Sequence, residues 1–70
     1  MIRFGHYYLD GQLIVFDLTL EDWGGRTQYV AAWSEHPEVA FRAVRPETAI
    51  ERLKAHMAQH GAAAARRLAS

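Results

Sequence analysis

Apolar residues alternate with other residues through the first third of the chain. Ile2, Phe4 and Tyr8 fall at even positions, and Asp10-Gly11 interrupts the run. The alternation resumes after that dipeptide at Ile14, Phe16, Leu18 and Leu20. A period of two is typical of β-strands, because successive side chains point to opposite faces of a sheet. Asp-Gly between two such runs predicts a type I′ hairpin turn, whose two central residues need positive φ.

A second hairpin is predicted immediately downstream. Residues 21–25 form its loop and include Gly24-Gly25, a pair suited to left-handed backbone, and residues 26–33 form the return strand. Residues 39–43 then predict a short fourth strand.

The period changes to that of a helix after residue 45. Pro46 suits the first helical turn, and Ile50, Leu53 and Met57 recur at three- and four-residue spacing on one side. Gly61 is a candidate C-cap, and we expect the main helix to end near residue 60 with a further turn or two beyond it. The alternative is one helix from 46 to about 68, in which the glycine costs about 1 kcal/mol relative to alanine.

These elements predict an α+β fold. Its expected form is an antiparallel sheet of four strands, or three if the short one does not join, followed by one main helix packed on one face. Residues 1–60 would form the sheet-and-helix domain, and residues 61–70 a tail that is either coil or helix.

The length and composition narrow the function classes. A chain of 70 residues without cysteine buries only about 60% of its unfolded surface and has no disulfide to stabilise it, so oligomerisation is the simplest remedy. Eight basic against eight acidic residues give no net charge, which removes the basic field that nonspecific nucleic-acid binding uses. The sequence shows neither a signal peptide nor a membrane span, which predicts a cytoplasmic protein.

The strand around residues 12–20 is apolar on both faces. Leu13 and Val15 alternate with the run that begins at Ile14, and one helix covers only one face of a sheet. We therefore predict that Leu13 and Val15 lie in a homo-oligomer interface, most simply that of a dimer.

The segment of residues 33–57 resembles the HicB-like antitoxin domain, a truncated ribonuclease-H-like fold. Pro37 stands at the family's proline after the aromatic-rich strand, Val39-Ala40-Phe41 at its short strand, and residues 46–53 (Pro-Glu-Thr-Ala-Ile-Glu-Arg-Leu) at the start of its helix. Three positions depart from the pattern: Glu38 and Ala43 replace glycines, and Arg45 replaces the N-cap threonine.

The resemblance implies a bacterial or phage antitoxin module of a toxin–antitoxin system, which binds a partner protein such as a toxin and neutralises or regulates it. It implies a sheet followed by a helix and no catalysis. Two alternatives remain open. One is a small phage or mobile-element inhibitor of a host enzyme, and the other is a single-stranded nucleic-acid-binding domain.

Large side chains on loops and strand edges are the expected partner contacts, because such residues dominate binding energy at interfaces. The candidates are Trp23, Arg26, His36, Arg42 and Arg45. Aromatic residues with arginine neighbours would also suit base stacking in the nucleic-acid alternative. That set comprises Tyr7, Tyr8, Trp23, Tyr29 and Trp33 with Arg3, Arg26, Arg42 and Arg45.

No residue pattern predicts catalysis or a cofactor. His56 and His60 have the one-turn spacing of a zinc helix but lack the adjoining glutamate of the metalloprotease motif. Solvated or packed histidines at a helix end are the favoured interpretation of this pair. Ser34, Glu35 and His36 are consecutive, and neighbouring strand residues point to opposite faces, so they cannot form a triad.

Overall fold

A four-stranded antiparallel meander carries one helix across one of its faces. The computed structural model describes residues 2–61 and 67, in which β1 (Ile2–Leu9), β2 (Gln12–Trp23), β3 (Arg26–Trp33) and β4 (His36–Ala43) precede α1 (Pro46–His60). The strands lie side by side in the order β1-β2-β3-β4. The predicted α+β fold with four strands and one main helix is confirmed.

The β1–β2 and β2–β3 hairpins each turn through two residues. Asp10 and Gly11 have φ of 52° and 76°, and Gly24 and Gly25 have φ of 56° and 87°, as type I′ turns require. The predicted loop over residues 21–25 is wrong, because β2 continues to Trp23, which pairs with Arg26. Two successive glycines close the hairpin without further loop residues.

Strand β4 is longer than predicted, since it begins at His36 and includes Pro37. A proline is tolerated there because β4 is an edge strand, where one backbone N–H per pair of residues has no ladder partner. The register with β3 is irregular between Ala32 and Trp33.

The helix begins and ends where the sequence predicts. Pro46 occupies the first turn, and Arg45 at the N-cap makes no side-chain capping bond. Gly61 has a φ of 77° and its N–H donates to the Met57 carbonyl at 2.7 Å. The alternative of one helix continuing through Gly61 is therefore wrong. The predicted tail lies outside the described residues, apart from Arg67, whose backbone is helical.

The core lies between α1 and the sheet. The largest fully buried side chains are Ile14, Trp33, Leu53 and Met57. Ala49 is also fully buried and Ile50 only partly, so the inward stripe is rotated slightly from the predicted one. The helix packs mainly on β3 and β4, and other side chains must cover the β1 side of this face.

The ring of Phe16 covers the β1 side of the core at Gly5, its register partner. A methyl group at Gly5 would lie 2.8 Å from Cε2 of that ring, and closer still to Cζ. Phe16 is 7% exposed, so the ring has little room to move. The aromatic ring takes the place of the missing glycine side chain.

Leu53→Ala should lower the free energy of unfolding by about 2 to 5 kcal/mol, because it leaves a cavity beneath the helix. Urea denaturation measures the loss. Glu51→Ala, at an exposed position of the same helix, should change stability by no more than about 0.5 kcal/mol. Equal effects of the two substitutions would contradict the placement of the helix.

Gly5→Ala should destabilise the protein by about 1 to 3 kcal/mol, although alanine is ordinarily tolerated in a strand, because the methyl group meets the Phe16 ring. The matched test is a double-mutant cycle with Phe16→Leu. The cost of Gly5→Ala should shrink in the Phe16→Leu background, and purely additive effects would show that the ring does not cause it.

Candidate interaction surfaces

The face of the sheet opposite α1 carries an exposed group of apolar side chains. Phe4, Tyr8, Leu13 and Val15 are 75%, 69%, 48% and 36% exposed. The register places Tyr8 opposite Leu13 and His6 opposite Val15. These five residues, here called the apolar patch, surround a shallow depression of about 260 Å³. Exposed apolar groupings of this kind mark interaction sites in soluble proteins.

The patch contains no carboxylate, lysine or arginine. His6 contributes an imidazole, and its ring meets that of Tyr8 edge to face at 6.4 Å between centroids. Asp17, next to the patch and opposite Phe4, accepts a 2.9 Å hydrogen bond from the Ser34 hydroxyl. A partner surface could therefore cover these five residues without burying a carboxylate, lysine or arginine of the patch.

Leu13 and Val15 lie on the face that the helix does not cover, as the alternation predicts. The sequence reasoning missed Phe4 and Tyr8 as members of the same surface. Their even-numbered positions in β1 were the sequence signal that could have placed them on this face. The register pairs even positions of β1 with odd positions of β2, and thereby brings Phe4 and Tyr8 beside Leu13 and Val15.

A second surface is a basic cleft beside the N-terminus of α1. Arg42, Arg45 and Arg52, here called the arginine cleft, line a volume of about 390 Å³ together with Gln28 and Thr48. Arg52 Nη1 donates to the Arg42 carbonyl at 2.6 Å, which holds its guanidinium at the end of β4. Arg42 Nε lies 3.3 Å from Glu21 Oε2. Three cations against one acidic partner make the cleft electropositive.

The predicted partner contacts do not form one surface. Arg42 and Arg45 both line the arginine cleft. Arg52 lines it as well, although the sequence did not predict Arg52 as a partner contact. His36 lies at the other end of β4, with its ring 4.9 Å from that of Trp33 and its Nδ1 3.5 Å from Glu38 Oε1. Arg26 is exposed beside the Gly24-Gly25 turn, and the side chain of Trp23 lies outside the described residues.

The histidine pair at the end of α1 packs against an aromatic ring. The rings of His56 and His60 are 4.9 Å apart, and His56 lies 5.4 Å from the ring of Phe41. Among residues 2–61 and 67, no group of three or more His, Asp or Glu side chains could hold a metal ion. This packing agrees with histidines that stabilise the helix end.

The aromatic residues expected to stack bases are divided between the two faces. Trp33 is 1% exposed, and Tyr7 and Tyr29 pack against the core, whereas Tyr8 lies in the apolar patch. A continuous stacking platform of the predicted aromatics is therefore not formed by the described side chains.

Tyr7 is the described group whose titration the fold changes most clearly. Its hydroxyl is buried without a hydrogen-bond partner among the described residues, and burial raises the pKa of Tyr7 above its ordinary 10.0. Lys54 Nζ lies 5.1 Å from the centre of the ring, where the cation is attracted to the aromatic face. The residue belongs to the rim of the core and lies on the face of β1 opposite the apolar patch.

Tyr7→Phe should leave stability near neutral pH unchanged or raise it by about 1 kcal/mol, because it removes a buried hydroxyl to which no described residue hydrogen-bonds. In the native protein the raised pKa favours the neutral phenol, so its contribution is present below pH 10.0 and is lost as pH rises beyond that value. Denaturant titrations at neutral and alkaline pH should show a smaller alkaline loss in Tyr7→Phe. An identical loss would place the responsible group elsewhere.

Comparisons with known proteins add no relative. No family model, curated protein or solved structure matches the chain. Within the described part of the chain, no helix is both long and apolar enough to cross a bilayer. The apolar patch and the arginine cleft are therefore the physical basis for a functional proposal.

Proposed function

We propose that this chain is a non-enzymatic protein-interaction module that binds its partner through the apolar patch. The observation that carries the proposal is the contiguous exposure of Phe4, Tyr8, Leu13 and Val15 on one bare sheet face. A protein of this size gains little by leaving four large apolar side chains in water. Their removal from water supplies the driving force for association.

The energetics suit a protein surface better than a small ligand. Full burial of one aliphatic or phenylalanine side chain contributes about 1.5 to 3 kcal/mol, and the patch offers four partly exposed side chains. Its depression is shallow and open, whereas ligand pockets enclose most of the ligand surface. Tyr8 combines a large apolar ring with a hydroxyl, which is the composition of many interface hot spots.

Charge distribution favours protein over nucleic acid as the partner. The patch lies at the β1 edge of the sheet, and the arginine cleft adjoins β4 at the opposite edge. A single-stranded nucleic acid needs cations that follow its backbone beside the stacked bases. The apolar patch has no such neighbours among its lining residues.

The arginine cleft supplies a separate contact for acidic groups of a partner. Guanidinium groups bind carboxylates with two parallel hydrogen bonds, and Arg45 forms no ion pair with another described residue. Arg42 and Arg45 remain predicted partner contacts, to which the cleft adds Arg52. The resemblance of residues 33–57 to HicB-like antitoxins supports the narrower form of the proposal, in which the partner is a toxin that the module neutralises.

Site-specific photo-crosslinking in cells tests the proposed surface. A benzophenone amino acid replaces Leu13 in the patch or, as the matched control, Ala55 on the exposed side of α1. We expect a discrete protein adduct from position 13 and little from position 55, because the partner covers the patch and not the outer side of α1. Equal labelling from both positions, or no protein adduct from position 13, would contradict the proposal.

A further inference from the structure

We infer that β1 pairs edge to edge with β1 of a second copy of this chain, which joins the two sheets into one of eight strands and sets the two apolar patches side by side on one face. This inference rests on the proposed function, because it names a partner for the β1 residues of the patch. Three independent features of β1 support it: the direction of its backbone groups, the side chains it presents and the lack of edge protection.

The hairpin turn determines which backbone groups of β1 point outward. In a two-residue hairpin the residues flanking the turn, here Leu9 and Gln12, exchange hydrogen bonds. Hydrogen-bonded and non-hydrogen-bonded pairs then alternate along an antiparallel ladder. Phe4, His6 and Tyr8 therefore direct their N–H and C=O groups away from β2, towards the open edge.

The same three residues supply the β1 side chains of the apolar patch. One strand thus presents three outward-facing backbone pairs and three aromatic or imidazole rings at a single edge. A neighbouring antiparallel strand would satisfy the backbone groups and place its own side chains beside the three rings.

The two edge strands of the sheet differ in how well they are protected against pairing with another strand. Strand β4 contains Pro37 and has an irregular register with β3, and both features hinder pairing with another strand. Strand β1 is eight residues long and contains no proline. Its one permanently charged side chain, Arg3, lies near its start. Only the β1 edge remains suited to strand addition.

A second copy meets the chemical requirements of this edge. Two β1 strands related by a two-fold axis through His6 place Phe4 opposite Tyr8 of the second copy, and the reverse. Such aromatic cross-strand pairs stabilise antiparallel sheets. An isologous contact sets each group near its own equivalent. Because the patch contains no carboxylate, lysine or arginine, this symmetry brings no such like charges together.

Sedimentation equilibrium of the purified full chain provides the test. The wild type at high micromolar concentration should have twice the chain mass of 8.0 kDa. His6→Pro removes an outward N–H that β2 does not use, and proline is tolerated at such edge positions. We expect this variant to retain its circular dichroism and to sediment at half the wild-type mass.

Two controls separate the backbone effect from other causes. His6→Ala deletes the side chain but keeps the N–H, and it should remain dimeric. Ala40→Pro places proline in β4, at the opposite edge of the sheet, at a position whose N–H points outward. This variant should also remain dimeric. Loss of the dimer in either control with the fold intact would overturn pairing through the β1 backbone.

Other outcomes are equally decisive. A monomeric wild type, or a folded His6→Pro dimer, would overturn the inference. If His6→Pro fails to fold, the double variant Phe4→Lys/Tyr8→Lys provides the test, because it leaves the backbone groups of β1 in place. We expect this variant to be monomeric. A folded dimer of it would refute pairing at the proposed edge. A position-13 crosslink to a different protein, with a monomeric wild type, would retain the proposed function while rejecting the second copy.

Discussion

The structure depends on a mismatch of area: one 15-residue helix packs on a sheet of four strands. A helix is about 10 to 12 Å wide with its side chains, and neighbouring strands are about 4.8 Å apart. The helix therefore covers roughly two strands, and β3 and β4 occupy that position. The β1 side of the same face and the whole opposite face must be covered by other means.

On the helix side, individual side chains complete the coverage. Phe16 extends its ring over Gly5, and Tyr7 packs beside it with the two ring centres 6.4 Å apart. Lys54 reaches from the helix to the Tyr7 ring. The buried Tyr7 hydroxyl, which has no hydrogen-bond partner among the described residues, is a cost of this arrangement, since an aromatic ring of that size is needed where the helix does not reach.

On the opposite face the coverage is uneven, and the unevenness bears on function. Val30 is 5% exposed there, in the half of the sheet where Arg42 and Glu21 form an ion pair. The half formed by β1 and β2 carries the apolar patch instead. Four exposed apolar side chains, an unprotected strand edge and a patch without carboxylate, lysine or arginine coincide there. These features together favour association through this half of the sheet.

Much of the fold was predictable from the sequence because its signals are local. Asp10-Gly11 and Gly24-Gly25 specify tight turns through positive φ, Pro46 and Gly61 bound the helix, and the period-two and period-3.6 patterns assign the elements between them. The predicted loop before Gly24 was too long. Residues 21–23 are mostly polar, yet they extend β2 because β3 supplies their hydrogen-bond partners.

The surfaces required the tertiary structure. Residue alternation places Leu13 and Val15 away from the helix, but only the register between β1 and β2 sets Phe4 and Tyr8 beside them. Arg52 joins Arg42 and Arg45 because the chain reverses between β4 and α1, whereas His36 is carried to the far end of the same strand. The sequence by itself determined turns, helix limits and strand periodicity, which arise from neighbouring residues. The grouping of side chains depends on pairing between distant segments, and this only the tertiary structure decided.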